Sequence, residues 1–509
     1  MPTPQNKLAE SLAILKKLQD KGMIAIHTKN MTRTHRERLI KSQFIKEVMK
    51  GWYVPAQPGA PNGESTAWYA SFWGFCADYL ESRFHDQWCL SPEHSLRIHS
   101  GNWNVPGQLL IRTPKGGNKP KSLLHETSIM DVRLELPDRN DMTIKENLRI
   151  MTLPASLISC VPGYYSNNVI EARTALSMVS DASQILHKLF KGGHSTIAGR
   201  LAGAFRNIGK NIIADNIIEA MRSAGYTITE NDPFKEKPAI HFSDNERSPY
   251  VNRIRMYWAD MRDIVLKNFP RVPSVRQDTD DYLKHVDDTY IIDAYHSLSI
   301  EGYRVSEALI ERVRAGSWDP ETSHQDKEYA NALVARGYWQ AFQAVKKSLK
   351  KILDKNSPGT VVNNDHSVWY RELFAPGVNA GLIAASDLAG YRDQPVYIRK
   401  SRHVPPRYEA VRDLMPAFFS LLNNEEDPAV RVVLGHFFFV YIHPYTDGNG
   451  RMARFLMNIM LASGGYPWTV IPLETRNEYM AALEEASVNK NIKPFSKFLA
   501  ACVRRDTQV

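Results

Sequence analysis

Twelve consecutive residues near the C-terminus, His443-Pro-Tyr-Thr-Asp-Gly-Asn-Gly-Arg-Met-Ala-Arg454, constrain this chain more than any other stretch. They hold an imidazole, a carboxylate, two glycines around an asparagine, and two arginines. A largely apolar run, Val430 to Ile442, leads in, and a second helical pattern, Met452 to Ala462, leads out. The expected local fold is a helix, a tight polar loop and a second helix. Asp427 can cap the first helix and Pro428 suits its first turn, whereas Pro444 cannot continue it. His443 therefore falls at a helix end facing the loop. Gly448 and Gly450 open backbone conformations closed to other residues, so that successive N–H groups can turn inward as an anion nest. The helix beginning near Arg451 adds its positive end to the same spot. Arg451 and Arg454 can each clamp a phosphate. Asp447 beside so many phosphate donors points to Mg²⁺ bridging the phosphates. Together these parts make a nucleotide-phosphate site with a base next to it.

A chain of 509 residues is too long for one typical domain. Its 43% hydrophobic and 23% charged residues are ordinary for a soluble globular protein. The four cysteines, Cys76, Cys89, Cys160 and Cys502, have no metal-ligand spacing and suit a reducing compartment. Lys7 and Glu10 interrupt any signal-peptide pattern, and apolar runs such as Phe437 to Ile442 are far short of the ~20 residues a membrane helix needs. The expected location is cytoplasmic.

The formal net charge of +9 is concentrated at one end: residues 1–60 carry eleven Lys/Arg against four Asp/Glu, a local excess of +7. Such asymmetry fits a polyanion-binding end or a solvated basic surface. Residues 6–20 read as an amphipathic helix with Leu8, Leu12, Leu15 and Leu18 on one face, and Thr34 to Ser42 as a second helix. Phe44 to Val54 reads as two short strands turning near Lys50-Gly51. Helices followed by a β-hairpin describe a winged helix-turn-helix over residues 1–56. In that arrangement the second helix enters a major groove, with Arg33, Arg36, Arg38 and Lys41 on phosphates; winged helices also serve as protein-docking modules. A Pro/Gly-rich loop, Pro55 to Gly63, closes this part.

Residues 57–235 mix patterns, with strands expected at Gln108–Arg112 and Asp131–Glu135 and helices over 168–227. The decoy Gly203-Ala-Phe-Arg-Asn-Ile-Gly-Lys-Asn211 has five residues between its glycines and Asn after the lysine, so it is not a P-loop. Gly199 and Gly203 are read instead as letting two helices approach closely. From about residue 245 the pattern is overwhelmingly helical, with loops near Gly316–His324, Asn356–His366 and Gly390–Pro406. The expected fold class is mainly α: an all-helical C-terminal domain over 236–509, preceded by a winged helix and a mixed α/β region.

The His443–Arg454 segment resembles the Fic family signature HPFx(D/E)GNGRxxR at eight of nine specified positions, with Tyr445 where phenylalanine is usual. The Fic core then covers about 368–487. The resemblance implies AMP transfer from ATP to a hydroxyl side chain of a target protein. By position, His443 deprotonates the hydroxyl and Asp447 holds Mg²⁺. Gly448, Asn449 and Gly450 hold the α- and β-phosphates, Arg451 steadies the β-phosphate, and Arg454 grips the γ-phosphate. Intact Gly448-Asn-Gly450 separates this loop from Doc relatives, which carry a lysine at the second glycine and phosphorylate instead. Residues 1–56 look like the winged helix of AbiEi-type antitoxin regulators, and 57–235 loosely like the body of those proteins.

Ser297-Leu-Ser-Ile-Glu-Gly302 fits a second Fic pattern, (S/T)xxxE(G/N), on an inhibitory helix expected at about 285–302. The resemblance pairs Glu301 with Arg454, which cannot serve both Glu301 and a γ-phosphate. In some relatives the same glutamate supports AMP removal. Gln394 to Arg399, with Val396, Tyr397 and Ile398, looks like the β-hairpin flap that docks the target's extended segment. Tyr479 and Met480 match positions that enclose adenine, and core packing suits Met480 equally. The expected partners are ATP, an unidentified target protein and DNA, and the pattern is compatible with a homo-oligomer. The rival reading is a DNA-binding regulator whose Fic domain senses nucleotide.

Overall fold

The computed structural model describes residues 3–59, 64–238, 240, 242, 248–271, 278–317 and 326–507. Residues 60–63 and 318–324 of two expected loops lie outside the described residues, as does residue 245, the expected start of the helical part. Two compact units emerge: Met1–Arg253 with Tyr397–Val404, and Ile254–Val396 with Pro405–Val509. The border falls at Arg253 rather than near 235. Asn252 and Arg253 tie into the first unit, where the Asn252 amide donates to Ser177 Oγ at 3.1 Å and the Arg253 guanidinium to the Gly101 carbonyl at 2.8 Å.

The first unit opens with the helix Pro4–Asp20, the strand Ile26–His27, the helix Arg33–Lys41, and the strands Ile45–Met49 and Trp52–Pro55. The expected hairpin is present, and the third strand adds on the far edge of 52–55, all antiparallel. Gly51 sits at the turn with φ 82°, a conformation glycine adopts without strain. Leu15, Ile26, Met31, Leu39, Ile45 and Tyr53 give this small piece a core of its own.

Beyond it, the helix Thr66–Phe84 precedes a four-stranded sheet in which Gln108–Thr113 and Ser128–Arg133 pair in parallel. The second of these strands starts three residues before the expected Asp131, because Ile129 and Asp131 are its inward positions. Helices from Leu153–Ser159 to Asn211–Ser223 pack around Leu176, Leu201, Phe205 and Ile217. Gly199 and Gly203 do not receive another helix. They receive the extended backbone at Thr229 and Asn231, which runs so close that a Cβ at either glycine would strike a carbonyl oxygen.

Among its described residues, the regular elements of the second unit are all helices. Its central helix, Asn449–Ser463, is buried almost all round, as expected of a helix with apolar neighbours on every side. The helices Pro428–Ile442, Asp326–Leu353 and Pro358–Asn379 surround it, with Phe437, Phe438, Leu456, Met460 and Trp468 in the core. The Asp427 carboxylate caps Pro428–Ile442 by accepting from the N–H groups of Ala429 and Val430. Among the described residues no helix is long and apolar enough to cross a membrane.

Candidate active site

The helix Pro428–Ile442 stops where His443 turns left-handed, at φ 54° and ψ 59°. A non-glycine residue in that region is uncommon and held there by its surroundings. The His443 Nδ1 lies 3.1 Å from the Val440 carbonyl, which makes Nδ1 the protonated nitrogen and leaves Nε2 as a lone-pair base. Burial, reinforced by the positive charge of Arg392, pushes its pKa down to about 4, so the ring is neutral at physiological pH.

The loop that follows is stapled by Asn449. Its amide donates to the Tyr445 carbonyl at 2.8 Å, and its Oδ1 accepts from the Tyr445 N–H at 2.9 Å. Tyr445 itself is buried and stacks on Tyr370 with centroids 3.8 Å apart, so the loop is anchored in the core through a ring. Asn449 is 2% exposed. We expect Asn449→Ala to lower stability by about 1–3 kcal/mol, the cost of an orphaned buried polar group, as read in chemical denaturation.

Gly448 adopts φ 79° and starts the next helix, as expected. Gly450 differs from expectation. It lies inside that helix, and what requires glycine is space, because a Cβ there would strike the Glu301 carboxylate. Asp447 is largely exposed, and its Oδ2 lies 3.1 Å from Arg451 Nη2. Arg451, 1% exposed, is held between the rings of Tyr303 and Phe374, 5.3 and 5.1 Å from its guanidinium carbon.

Arg454 is buried against the helix Thr279–Ile300, which caps with Glu301 and turns at Gly302, φ 94°. Its Nε donates to Ser297 Oγ at 2.8 Å, and its Nη2 to the Ser297 carbonyl at 2.9 Å and Glu301 Oε1 at 2.7 Å. Although burial opposes ionisation, Arg454 and then Arg451 hold the Glu301 carboxyl below its usual range. Among the described residues Arg454 Nη1 and Arg451 Nε find no hydrogen-bond partner. Buried N–H groups of this kind call for an anion. Ser297 and Glu301 therefore meet Arg454, with the Glu301 carboxylate also against Gly450.

Residues 369–461 match the family described as Fic/DOC. This stretch is similar to Fic domains. The protein adenylyltransferase Fic of Nematostella vectensis is 40% identical over 119 residues, 23% of this chain and 27% of that one. The protein adenylyltransferase fic-1 of Caenorhabditis elegans is 30% identical over 221 residues, 42% of this chain and 39% of the other. The Fic enzyme of Aedes aegypti is 28% identical over 253 residues, 47% and 46% of the two chains. The chain thus spans less than half the length of these relatives. Among solved structures, a C. elegans Fic-1 fragment aligns with TM-score 0.37 and 21% identity over 64% of this chain and 90% of its own.

Two expected parts of the Fic site depart from the pattern. Tyr479 is a core residue, 1% exposed, its hydroxyl 2.8 Å from His436 Nε2 and its ring against Phe495 and Phe498, so no face is open to an adenine. Met480 beside it is half-buried. The flap is not a β-hairpin, since residues 391–406 form no strand. Pro395, Pro405 and Pro406 remove N–H donors at its ends. Two of its main-chain donors are taken by distant side chains: the Lys400 N–H donates to Thr66 Oγ1 at 2.9 Å and the Val404 N–H to Asn104 Oδ1 at 3.3 Å. Arg399 pairs with Glu64 at 3.1 Å, and Arg402 donates twice to the Val105 carbonyl. Val396 and Ile398 are half-buried and Tyr397 is 41% exposed.

Sequence reasoning missed Tyr303 and Phe374, which sandwich Arg451, and Arg392, which binds the His443 carbonyl. Arg392 lies outside both motifs, and its partners are main-chain oxygens that leave no trace in the residue pattern.

Proposed function

We propose that this protein is an autoinhibited adenylyltransferase that transfers AMP from ATP to a hydroxyl side chain of a target protein. The observation carrying this is a neutral His443 with a free Nε2, set beside a helix N-terminus and two arginines that each keep an N–H without a partner among the described residues. The target hydroxyl oxygen attacks the α-phosphorus while its proton passes to Nε2, and the bond to the β-phosphate oxygen breaks to release pyrophosphate. Gly448, Gly450 and the N–H groups starting Asn449–Ser463 hold phosphate oxygens, with Arg451 and Arg454 on the β- and γ-phosphates. Catalysis rests on positioning and charge stabilisation, as in other phosphoryl transfers.

Among the described residues no cluster of three His, Cys, Asp or Glu can cage a metal. Mg²⁺ commonly arrives on phosphates and takes one or two protein carboxylates. Exposed Asp447 fits that role, and the ion supplies charge neutralisation when bound. Ser297 and Glu301 occupy Arg454 and so compete with the γ-phosphate. Val396, Tyr397 and Ile398 are the segment we assign to target docking. The test is transfer of label from α-labelled ATP into lysate proteins, comparing wild type with Glu301→Gly. Absence of label in both, with ATP bound, would favour the nucleotide-sensing regulator.

For residues 1–56 we propose a winged helix that binds DNA, supported by the order of helices and strands and by the local +7 charge. Arg33 is exposed and paired with Glu37, and Arg38 donates to Ser11 Oγ, so Arg38 braces the two helices. Arg36 and Lys41 are then the main phosphate contacts. We expect gel-shift affinity that falls steeply with salt and drops in Arg36→Ala with Lys41→Ala; salt-independent binding of a protein instead would reassign the module. Free, buried cysteines throughout suit the cytoplasm.

A further inference from the structure

Arg392 is 5% exposed, and no carboxylate among the described residues pairs with it. Burial pulls its pKa down to about 10, still charged at neutral pH. A buried guanidinium without a carboxylate is costly unless its donors are filled, and here main-chain oxygens fill them. Its Nε donates to the His443 carbonyl at 2.8 Å, and its Nη2 to the carbonyls of Ile442, at 3.4 Å, and Pro406. Its Nη1 donates to the Gln394 carbonyl at 3.2 Å, and its own N–H to the Pro444 carbonyl at 2.9 Å.

These contacts do two things at once. Ile442 and His443 end a helix whose last carbonyls lack intrahelical partners, and a cation is favoured there. One fork therefore caps the helix that presents the base and holds His443 in its left-handed turn. The same fork grips both ends of the 394–406 segment. We propose that Arg392 is a positioning residue: it sets the Nε2 of His443 and ties Gln394 and Pro406, the two ends of the docking segment, to the same helix end. This rests on the reading of His443 as the base.

The test uses the full chain carrying Glu301→Gly, with Arg392→Lys and Arg392→Gln. Lysine keeps the charge but cannot span four carbonyls, whereas glutamine loses both. The charged groups facing His443 are Arg392, Glu301 and Asp447, and with Glu301 removed Arg392 opposes Asp447 alone. Both variants should bind ATP as the parent does and lose about 10- to 100-fold in kcat, the usual cost of misplacing reacting groups. In Arg392→Gln alone, the acid limb of kcat/KM should also move up by a small step, because Arg392's contribution is gone while burial, the larger cause, still holds the histidine's pKa down. A folded pair with parental kcat and parental acid limb would overturn the inference, as would loss of ATP binding in both, which marks a scaffold role for the whole loop. A parent chain that transfers nothing sinks the adenylyltransferase reading instead.

Discussion

Replacing His443 by alanine in the Glu301→Gly chain is expected to cut AMP transfer about 10²–10⁴-fold, the usual worth of a positioned general base, while ATP affinity is unchanged. The division follows from geometry. On the proposed reading, phosphate contacts come from the Gly448–Gly450 backbone, Arg451 and Arg454, whereas the imidazole keeps Nε2 free by donating Nδ1–H to the Val440 carbonyl. The pH response follows from the sign of the shift. The folded pKa lies below the ordinary 6.5, so the ring is neutral above 6.5 in either state, and the folded protein resists protonation as pH falls from there toward 4. That resistance costs folding stability in acid and preserves the base in the free enzyme. Labelled transfer and calorimetry of ATP binding check the two halves separately. Parental turnover in His443→Ala would remove the histidine from the chemistry.

The reason this loop was legible is that its parts are contiguous: Asp427, Pro428, Pro444, Gly448 and both arginines are local signals with local consequences. Glu301 was legible only through a second motif, and its reach to Arg454 across 153 positions of sequence is a tertiary fact. The glycines show the limit clearly. Gly450 looked like a conformational glycine and is a spatial one, because what it must avoid is a carboxylate from another helix. Gly199 and Gly203 accommodate a strand-like backbone that no periodicity announces. The flap failed as a hairpin for a related reason: three prolines remove donors at its ends, and side chains of Thr66 and Asn104, far away in sequence, take the Lys400 and Val404 N–H groups. Tyr479 has the right neighbours in sequence for a base-binding ring, but His436 claims its hydroxyl. Pattern reports which face is apolar, and it is silent on which carbonyl or carboxylate waits opposite.

Replacing Glu301 by glycine is expected to raise both ATP affinity and AMP transfer, by roughly 10- to 100-fold, which corresponds to the 1.5–3 kcal/mol of a charge-assisted hydrogen bond. The Glu301 side chain is 29% exposed, so the lower end applies if water screens the pair well. Losing the carboxylate does not release Arg454 altogether, since its Nε still donates to Ser297 Oγ and its Nη2 to the Ser297 carbonyl. The arginine therefore stays in place while Nη2 regains capacity and the unpartnered Nη1 faces an uncontested anion site. Gly450 also gains room, because the group nearest its missing Cβ is gone. The latch should be insensitive to pH near neutrality: Glu301 is held below the usual carboxylate range, so the pair persists above it and weakens only as pH falls through that depressed value. Competition is reciprocal, and saturating ATP must loosen the Glu301–Arg454 contact by the same factor that the contact weakens ATP. A wild-type chain that transfers AMP as fast as Glu301→Gly at low ATP would show that Arg454 can serve both partners, and intramolecular inhibition would fall.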